Sequence, residues 1–585
     1  MRRTKIVCTI GPASDDKETL TELIDAGMNV ARLNFSHGDH EEQKGKLERI
    51  REITNDNEGD RKAAILLDTK GPEIRTGKLE TDEKVYLEQG QEFIITTEDI
   101  AGNNEKVSIS YKGICEDLET GDTILIDDGL IGLEVKEVQD PEIICEVING
   151  GKLGSTKGVN LPGVPVRLPA ITDKDVNDIK FGIENEVDFI AASFIRKADD
   201  VLAIREILEE HDADINIIAK IENQEGVENV DEILEVADGL MVARGDLGVE
   251  IPPEKVPAAQ KMMIKKCNKA GKPVITATQM LDSMIENPRP TRAEASDVAN
   301  AIYDGTDATM LSGETAMGDY PVASVDTMNR IARETEKALQ YEQLIDRPDL
   351  TPAKTITNSI CHDTCKTAYE LDASAIITST RSGYTARMVS KYRPYAPIIA
   401  VTPNKKVFNK LILSWGVKPV LADITQNTDE MIDKSVEATK EAGYIENGDL
   451  AVITAGAPGV PSTTNLLKVE IVGEAALRGV GVGNKAASGK VCVAEDADDA
   501  VENIEDGDIL VAPETTKEYA PALEKAAALI TEEPGVTSHA ATKGMELDIP
   551  VIVGVSGAVS DLSTGDTVTV DSIRGLIYKG EAKVL

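Results

Sequence analysis

Eight short runs of β-branched or apolar residues constrain this chain more than any other feature: Lys5 to Ile10, Met28 to Phe35, Ala63 to Asp68, Asp188 to Phe194, Ile215 to Ile221, Gly239 to Arg244, Pro273 to Thr278 and Ala308 to Leu311. Apart from one long gap they recur at intervals of about 25 to 35 residues, the length of a strand plus its return helix. Eight strand–helix units predict an α/β fold, a parallel (β/α)8 or TIM barrel, whose site residues gather at the C-terminal ends of the strands. The gap between Asp68 and Asp188 contains VYLEQGQEFIITTE, KVSISY, GDTILIDDG and EIICEVINGG, which alternate apolar and polar residues and are cut by Gly and Asp. It reads as a β domain, a small β-barrel, inserted after the third strand and placed to act as a lid.

The expected division is residues 1–70 and 170–345 for the barrel and 71–169 for the inserted domain, with a boundary at the proline-bearing DRPDLTPA, Asp346 to Ala353. Residues 346–474 alternate strand-like runs, such as Ala375 to Thr380 and Leu450 to Ala455, with the helical patterns Asn358 to Leu371 and Thr428 to Ala442. An α/β domain with a parallel sheet is expected there. Gly479, Gly481, Gly483 and Gly489 open a last segment, 475–585, and read as turn or linker rather than as a phosphate loop.

At 41% hydrophobic and 28% charged residues the chain can bury several cores. Its 103 Asp and Glu exceed 62 Lys and Arg, a net charge of −41 that repels nucleic acid and anionic membrane surfaces. No run approaches a membrane span, and the apolar stretch after MRRTKIVCTIGPAS begins is too short for a signal-peptide core, so a cytoplasmic location is expected. Seven scattered cysteines fit reducing conditions. Cys361, His362 and Cys365 lack a second Cys/His pair, so they read as a helix face rather than a zinc site.

The strand ends carry polar groups that a barrel would bring to one mouth: Arg32, Asn34 and Ser36; Asp68, Thr69 and Lys70; Ser193; Lys220 and Glu222; Arg244 and Asp246; Thr278. Lys220 and Glu222, two apart on an extended strand, share a face. With Asp246 leaving the next strand, two carboxylates suit a six-coordinate Mg2+ or Mn2+. Arg32 and Arg75 offer donor forks matched to phosphate, and Lys220 a compact charge for an oxygen that becomes anionic. Cations, a metal and no activated nucleophile point to phosphoryl transfer; no G-x-S-x-G elbow is present. Asn34, Ser36, Asp68 and Thr69 add hard oxygen donors that either hold a monovalent cation or cap turns.

The phrases KIVCTIGPAS, NVARLNFSHG, LLDTKGPEIRTG, KGVNLPG, AKIENQEG, VARGDLGVEIP, ITATQMLDSM, PTRAEASDVANAIYDGTDATMLSGETAMGDYP and KYRPYAPIIAVT resemble the pyruvate kinase family. The resemblance spans residues 1–474 and implies transfer of phosphate from phosphoenolpyruvate to ADP, giving pyruvate and ATP, in a homotetramer. It implies that Arg32 holds the substrate phosphate, that Glu222 and Asp246 ligate the divalent metal, and that Asn34, Ser36, Asp68 and Thr69 bind K+. It further implies that Lys220 neutralises the transferring group and that Thr278 contacts the substrate near the methylene that is protonated. Ser193 and the backbone of Gly245 join Asp246 in binding substrate, while Asn34, His37, Arg75 and Lys157 face the nucleotide. Glu73 is the residue type of K+-dependent members. A carbon–carbon lyase on a similar metal barrel, or a non-catalytic sensor or phosphocarrier, are the alternatives; the first would not need Arg75, Lys157 or ADP.

In TSTRSGYTAR the residues Thr378, Thr380, Arg381, Ser382, Gly383 and Thr385 sit where the family binds an effector phosphate. The later loop AGAPGVPSTTN lacks the Trp and Arg used for a second phosphate, so a monophosphate, AMP or a sugar monophosphate, is the expected effector. The segment VTSHAATKGMELDIPVIVG resembles the phosphohistidine swivelling domain of phosphoenolpyruvate synthases and pyruvate phosphate dikinases, with His539 at the phosphorylated position. A structural or interaction role and phosphorylation of His539 both stand as readings of it.

Overall fold

The computed structural model describes residues 2–55, 61–347, 354–423, 427–456, 464–473 and 475–582. Eight parallel strands close a barrel in sequence order: Lys5–Thr9, Val30–Asn34, Ala64–Asp68, Phe189–Ala192, Asn216–Ile221, Gly239–Ala243, Val274–Ala277 and Ala308–Leu311. All eight runs expected from the sequence are strands. Apart from Lys5, Arg32, Asn34, Asp68, Asn216 and Lys220 they are mostly apolar or small because both faces are covered. Val7, Val30, Ala64, Leu66, Phe189, Ile218, Met241, Ile275 and Met310 fill the interior, and Phe408, Ile412 and Leu413 join the same cluster.

The strand starts share one device. Asn29, Asp188, Asp238 and Asp307 each stand directly before an even-numbered strand, and each side chain accepts the backbone N–H at the start of the preceding odd strand: Ile6 at 3.0 Å, Ile65 at 2.8 Å, Ile217 at 2.9 Å and Val274 at 3.1 Å. An N–H left open at a buried strand end costs free energy, so an oxygen-bearing side chain recurs every second strand. Asp307 is the most heavily used: it also accepts from Trp415 N and forms a bidentate pair with Arg393, 4% exposed against its own 6%.

The inserted domain is a six-stranded sheet in the order 159–160, 123–126, 131–139, 142–149, 92–96, 106–108, with a ribbon of 85–87 and 151–153 beside it. Phe93, Ile95, Val107, Ile124, Leu133, Val135 and Val147 form its own core.

The chain divides into two compact units: Met1–Lys354 with Arg381–Arg393 and Asn404–Pro419, and Thr355–Thr380 with Pro394–Pro403 and Val420–Leu585. In the second unit, Ile398–Thr402, Ala375–Ser379 and Leu450–Ala455 are parallel neighbours, and Leu466–Ile471, which the sequence pattern did not mark, pairs antiparallel with the last. The final segment builds an eight-stranded sheet ordered 475–478, 576–579, 567–571, 486–493, 509–512, 528–531, 551–553, 480–482. Here the glycine cluster departs from the turn-or-linker reading. Gly481 and Gly489 lie inside strands, and a Cβ on Gly481 would collide with the carbonyl of Ser572. Close backbone approach, not a linker, demands these glycines; only Gly483, at φ 98°, has the turn conformation. The expected boundary at Asp346 to Ala353 falls largely on 348–353, outside the described residues.

Because Asp307 is buried with Arg393, Asp307→Ala should cost about 3–5 kcal/mol. Asp238, whose carboxylate is 32% exposed beside Arg205, should cost only about 1 kcal/mol when changed to Ala. Calorimetric melting temperatures of the two variants check this ranking; equal losses would contradict it.

Candidate active site

The strand register brings the polar ends together. Asn34 pairs with Asp68 across the second and third strands, and Ala191 pairs with Asp68 across the third and fourth. Asp68, 1% exposed, is the hub: its Oδ2 accepts from Arg32 Nε at 2.6 Å and its Oδ1 from Lys220 Nζ at 3.1 Å. Lys220 also donates to Ser193 Oγ at 2.7 Å and lies 3.0 Å from Glu222 Oε1. Ser193 Oγ donates in turn to the carbonyl of Thr69 at 2.6 Å, while Arg32 reaches Thr9 Oγ1 at 2.8 Å. Arg32, Asp68, Thr69, Ser193, Lys220 and Glu222 thus form one connected network at the barrel mouth.

Burial alone would raise the Asp68 carboxyl, but the Arg32 and Lys220 charges outweigh it and hold it below its ordinary value. Burial works against the Lys220 ammonium, yet Asp68 and Glu222 together raise it, so it stays protonated. Glu222 has one cation beside it and the Asp246 carboxylate nearby, and burial pushes it up to about 7. Asp246 is raised too, first by burial, with Asp128 and Glu73 adding repulsion against the opposing pull of Lys220.

Thr278 leaves the seventh strand at φ 62° and Gln279 follows at φ 53°, a left-handed turn that is costly for a β-branched residue. Arg244 holds that turn: Nε donates to the carbonyl of Ala277 at 3.1 Å, one terminal nitrogen to that of Thr278 at 2.6 Å, and the other to Asp297 at 2.6 Å. Gly245 N donates to Thr278 Oγ1 at 2.7 Å, which links the substrate-facing pair expected from the sequence. Glu314, 1% exposed, accepts from Leu281 N at 3.0 Å and Ser312 N at 2.7 Å, tying the turns after the last two strands together. Sequence reasoning assigned nothing to Glu314 and no role to Arg244. Apart from the Arg244–Asp297 pair their partners are backbone groups, which leave no side-chain pattern to find.

Asn34 Oδ1 accepts from Ser36 N at 3.1 Å, and Gln43 donates to the carbonyls of Asn34 and His37 at 3.0 and 2.9 Å. Between the inserted domain and the barrel mouth lies a cavity of about 490 Å³ whose lining includes Glu73, Arg75, Asp127, Asp128, Lys157 and Asp246. Arg75 pairs with Glu73 at 2.7 Å and Lys157 with Asp127 at 2.8 Å. Asn34, half-buried, and His37, exposed, are not among its lining residues.

Other expected site residues lie outside this network. Thr378 and Thr380 belong to the second unit, and Arg381, Ser382, Gly383 and Thr385 to the first. Gly383, at φ 76°, precedes the helix Tyr384–Ser390. Most of the later effector loop, 457–463, lies outside the described residues. Cys361 and Cys365 are buried on the helix Ile356–Glu370, and no group of three or more metal-ligating side chains gathers among the described residues. His539 begins the helix His539–Leu547, capped by Ser538; its Nδ1 lies 3.0 Å from Thr515 Oγ1, and its Nε2 is enclosed without a hydrogen-bond partner among the described residues.

Three family descriptions match the chain: "Pyruvate kinase, barrel domain" over residues 1–325, "Pyruvate kinase, alpha/beta domain" over 358–470 and "PEP-utilising enzyme, mobile domain" over 504–575. Pyruvate kinases of Bacillus licheniformis and Geobacillus stearothermophilus are each 56% identical over 588 residues, covering 100% of both chains; one from Staphylococcus aureus is 52% identical over 589. A crystal structure of a pyruvate kinase from Cryptosporidium parvum aligns with a TM-score of 0.77 at 44% identity, covering 81% of this chain and 96% of that one. On a barrel match of this extent and relatives this similar along their whole length, the chain belongs to the pyruvate kinase family of phosphotransferases.

Proposed function

We propose that the barrel mouth transfers the phosphoryl group of phosphoenolpyruvate to ADP. The observation that carries this reading is Lys220, a buried, protonated amine held among Asp68, Ser193 and Glu222, with Arg32 on the same carboxylate. The bond from phosphorus to the enol oxygen breaks, a bond to a terminal β-phosphate oxygen of ADP forms, and the enolate carbon takes a proton to give pyruvate. Arg32 binds the phosphoryl oxygens, and Lys220 stabilises the charge that develops as the bond breaks. Asp68 keeps both cations aimed. Thr278, fixed by Gly245 and Arg244, sits beside the carbon that is protonated. Arg75 and Lys157 hold the nucleotide phosphates, exchanging Glu73 and Asp127 for them. Those two lid cations favour a kinase over a lyase.

Glu222 and Asp246 fit a divalent ion. They are oxygen donors whose carboxyls are both raised, chiefly by burial, and they lack positive charge beyond Lys220. Bound there, Mg2+ or Mn2+ supplies charge for the substrate carboxylate and enolate oxygens. Asn34, Ser36, Asp68 and Thr69, gathered at the ends of two paired strands, are an all-oxygen set that fits K+.

We read 1–70 and 170–345 as the catalytic barrel, 71–169 as the lid, 346–474 as an effector-binding domain and 475–585 as an added domain with a structural role. Thr378, Thr380, Arg381, Ser382, Gly383 and Thr385 would take the phosphate of AMP or a sugar monophosphate. The active form would be a cytoplasmic homotetramer; among the described residues no helix is long and apolar enough to cross a membrane.

Three outcomes test this reading. In 31P NMR with phosphoenolpyruvate, ADP, Mg2+ and K+, the ATP γ-phosphate should grow as substrate disappears, should depend on K+ and should be indifferent to His539→Ala; transfer that requires His539 would overturn it. Lys220→Met should lower turnover about a hundred- to a thousandfold with circular dichroism unchanged. Because Glu222 holds a proton below about 7, and a metal must displace it, Mn2+ affinity should weaken as pH falls through that value. Calorimetry in buffers of different ionisation enthalpy should then register proton release on binding. A flat profile would contradict the assignment of Glu222 as ligand.

A further inference from the structure

We infer that Arg196 is a positioning residue: it fastens the returning lid linker to the barrel and so sets where the lid's cations stand over the mouth. The inference rests on the reading that Arg75 and Lys157 face the nucleotide. The inserted domain is joined to the barrel by two crossings, and the return, residues 161–170 (LPGVPVRLPA), contains neither helix nor strand. Its carbonyls therefore lack a ladder to accept from, and Pro162, Pro165 and Pro169 remove three donors as well.

One side chain supplies the missing donors. The Arg196 guanidinium gives its first terminal nitrogen to the carbonyl of Val166 at 2.9 Å and its second to those of Leu168 at 2.9 Å and Pro169 at 3.3 Å. On the barrel side Arg196 is fixed at both ends: its backbone N donates to Asp200 Oδ2 at 2.9 Å, Nε lies 3.4 Å from the same oxygen, and its carbonyl accepts from Asn229 at 2.9 Å. At 6% exposure the fork does not compete with water. A planar fork can gather three carbonyls spread over four residues; a lysine, with one point of charge, cannot hold the same set.

The outgoing crossing is pinned separately. Gly71 N donates to Asp175 Oδ1 at 3.0 Å, and at φ 73° its Cα sits so close to Ser193 and Phe194 that a Cβ would meet both at 2.9 Å. Arg196 thus governs one pivot alone. It also lines the same cavity as Arg75, Lys157 and Asp246, as do Val164, Pro165, Val166 and Leu168, so a shift of the linker alters the wall of the cavity those groups share.

The test uses the full chain with Arg196→Ala and Arg196→Lys, and Arg75→Ala beside them. Steady-state KM for ADP should rise about tenfold or more in Arg196→Ala and less in Arg196→Lys. Calorimetric affinity for phosphoenolpyruvate with Mg2+ and no nucleotide should stay within about twofold, since that ligand rests on the barrel. An unchanged KM for ADP with only a lowered melting temperature would overturn the inference, leaving Arg196 a stabilising contact. Loss of phosphoenolpyruvate binding, or insoluble protein from both variants, would overturn it too, because the barrel itself would then depend on Arg196. If Arg75→Ala raises KM for ADP and Arg196→Ala does not, only this inference fails; if neither does, the nucleotide reading fails.

Discussion

The charge balance around Asp68 is the constraint on which the rest of the site depends. Two cations, Arg32 and Lys220, and two carboxylates, Asp68 and Glu222, are buried together at the mouth, and each charge has an opposite partner within 3.1 Å. Such a set costs least while complete, because removing one member leaves a buried charge uncompensated and lowers stability even where the fold survives. Asp246 adds a third carboxylate and tips the balance negative; burial first, and then this repulsion, push the Glu222 carboxyl up, while the Arg32 and Lys220 charges hold Asp68 low. A divalent cation held by Glu222 and Asp246 would convert that deficit into a net positive mouth and would give an anionic substrate a reason to bind there. The acidic surface of the chain does not oppose this, since the field that matters is set within a few ångströms by buried groups.

Holding that balance requires a rigid mouth, and the rigidity comes from backbone groups satisfied by side chains. At the strand starts, Asn29, Asp188, Asp238 and Asp307 close the odd strands. At the strand ends, Arg244 and Glu314 fix the turns that carry Thr278 and Ser312, and Glu222 Oε2 accepts from Phe194 N at 2.7 Å, next to Ser193. Thr278 can keep its left-handed conformation because Arg244 is itself anchored by Asp297. Charged residues therefore do two kinds of work in this barrel: some satisfy backbone groups, and others form the charge network at the mouth.

That division explains what the sequence made legible. The eight strands announced themselves because parallel strands buried on both faces read as continuous apolar runs, and a barrel sends every strand end to one mouth. The network of Arg32, Asp68, Ser193, Lys220 and Glu222 followed from that rule before any geometry was known. Arg196 and Glu314 stayed silent because they bind main-chain groups from segments more than 25 residues away or across a turn, and such partners have no residue type. Strand Leu466–Ile471 was missed since its edge position leaves it half-exposed and without a clean alternation. The glycines at 481 and 489 were misread because their reason is a neighbouring backbone, that of Ser572 and of Gly507, remote in sequence.

The added domain raises the opposite problem, a legible motif whose chemistry depends on access. Imidazole attacks phosphorus only if the nitrogen can be approached in line, and His539 offers Nε2 from an enclosed position while Nδ1 is engaged by Thr515. The segment before it, Pro534 to Thr537, is exposed, with Gly535 at φ 124°. Phosphorylation would need that segment to open, even though a helix start capped by Ser538 favours negative charge. Lys220 meets no such barrier, for its charge already points into a mouth shaped by Asp68 and Glu222. The enclosure of His539 therefore favours a structural role for this domain and leaves the transfer chemistry with the barrel.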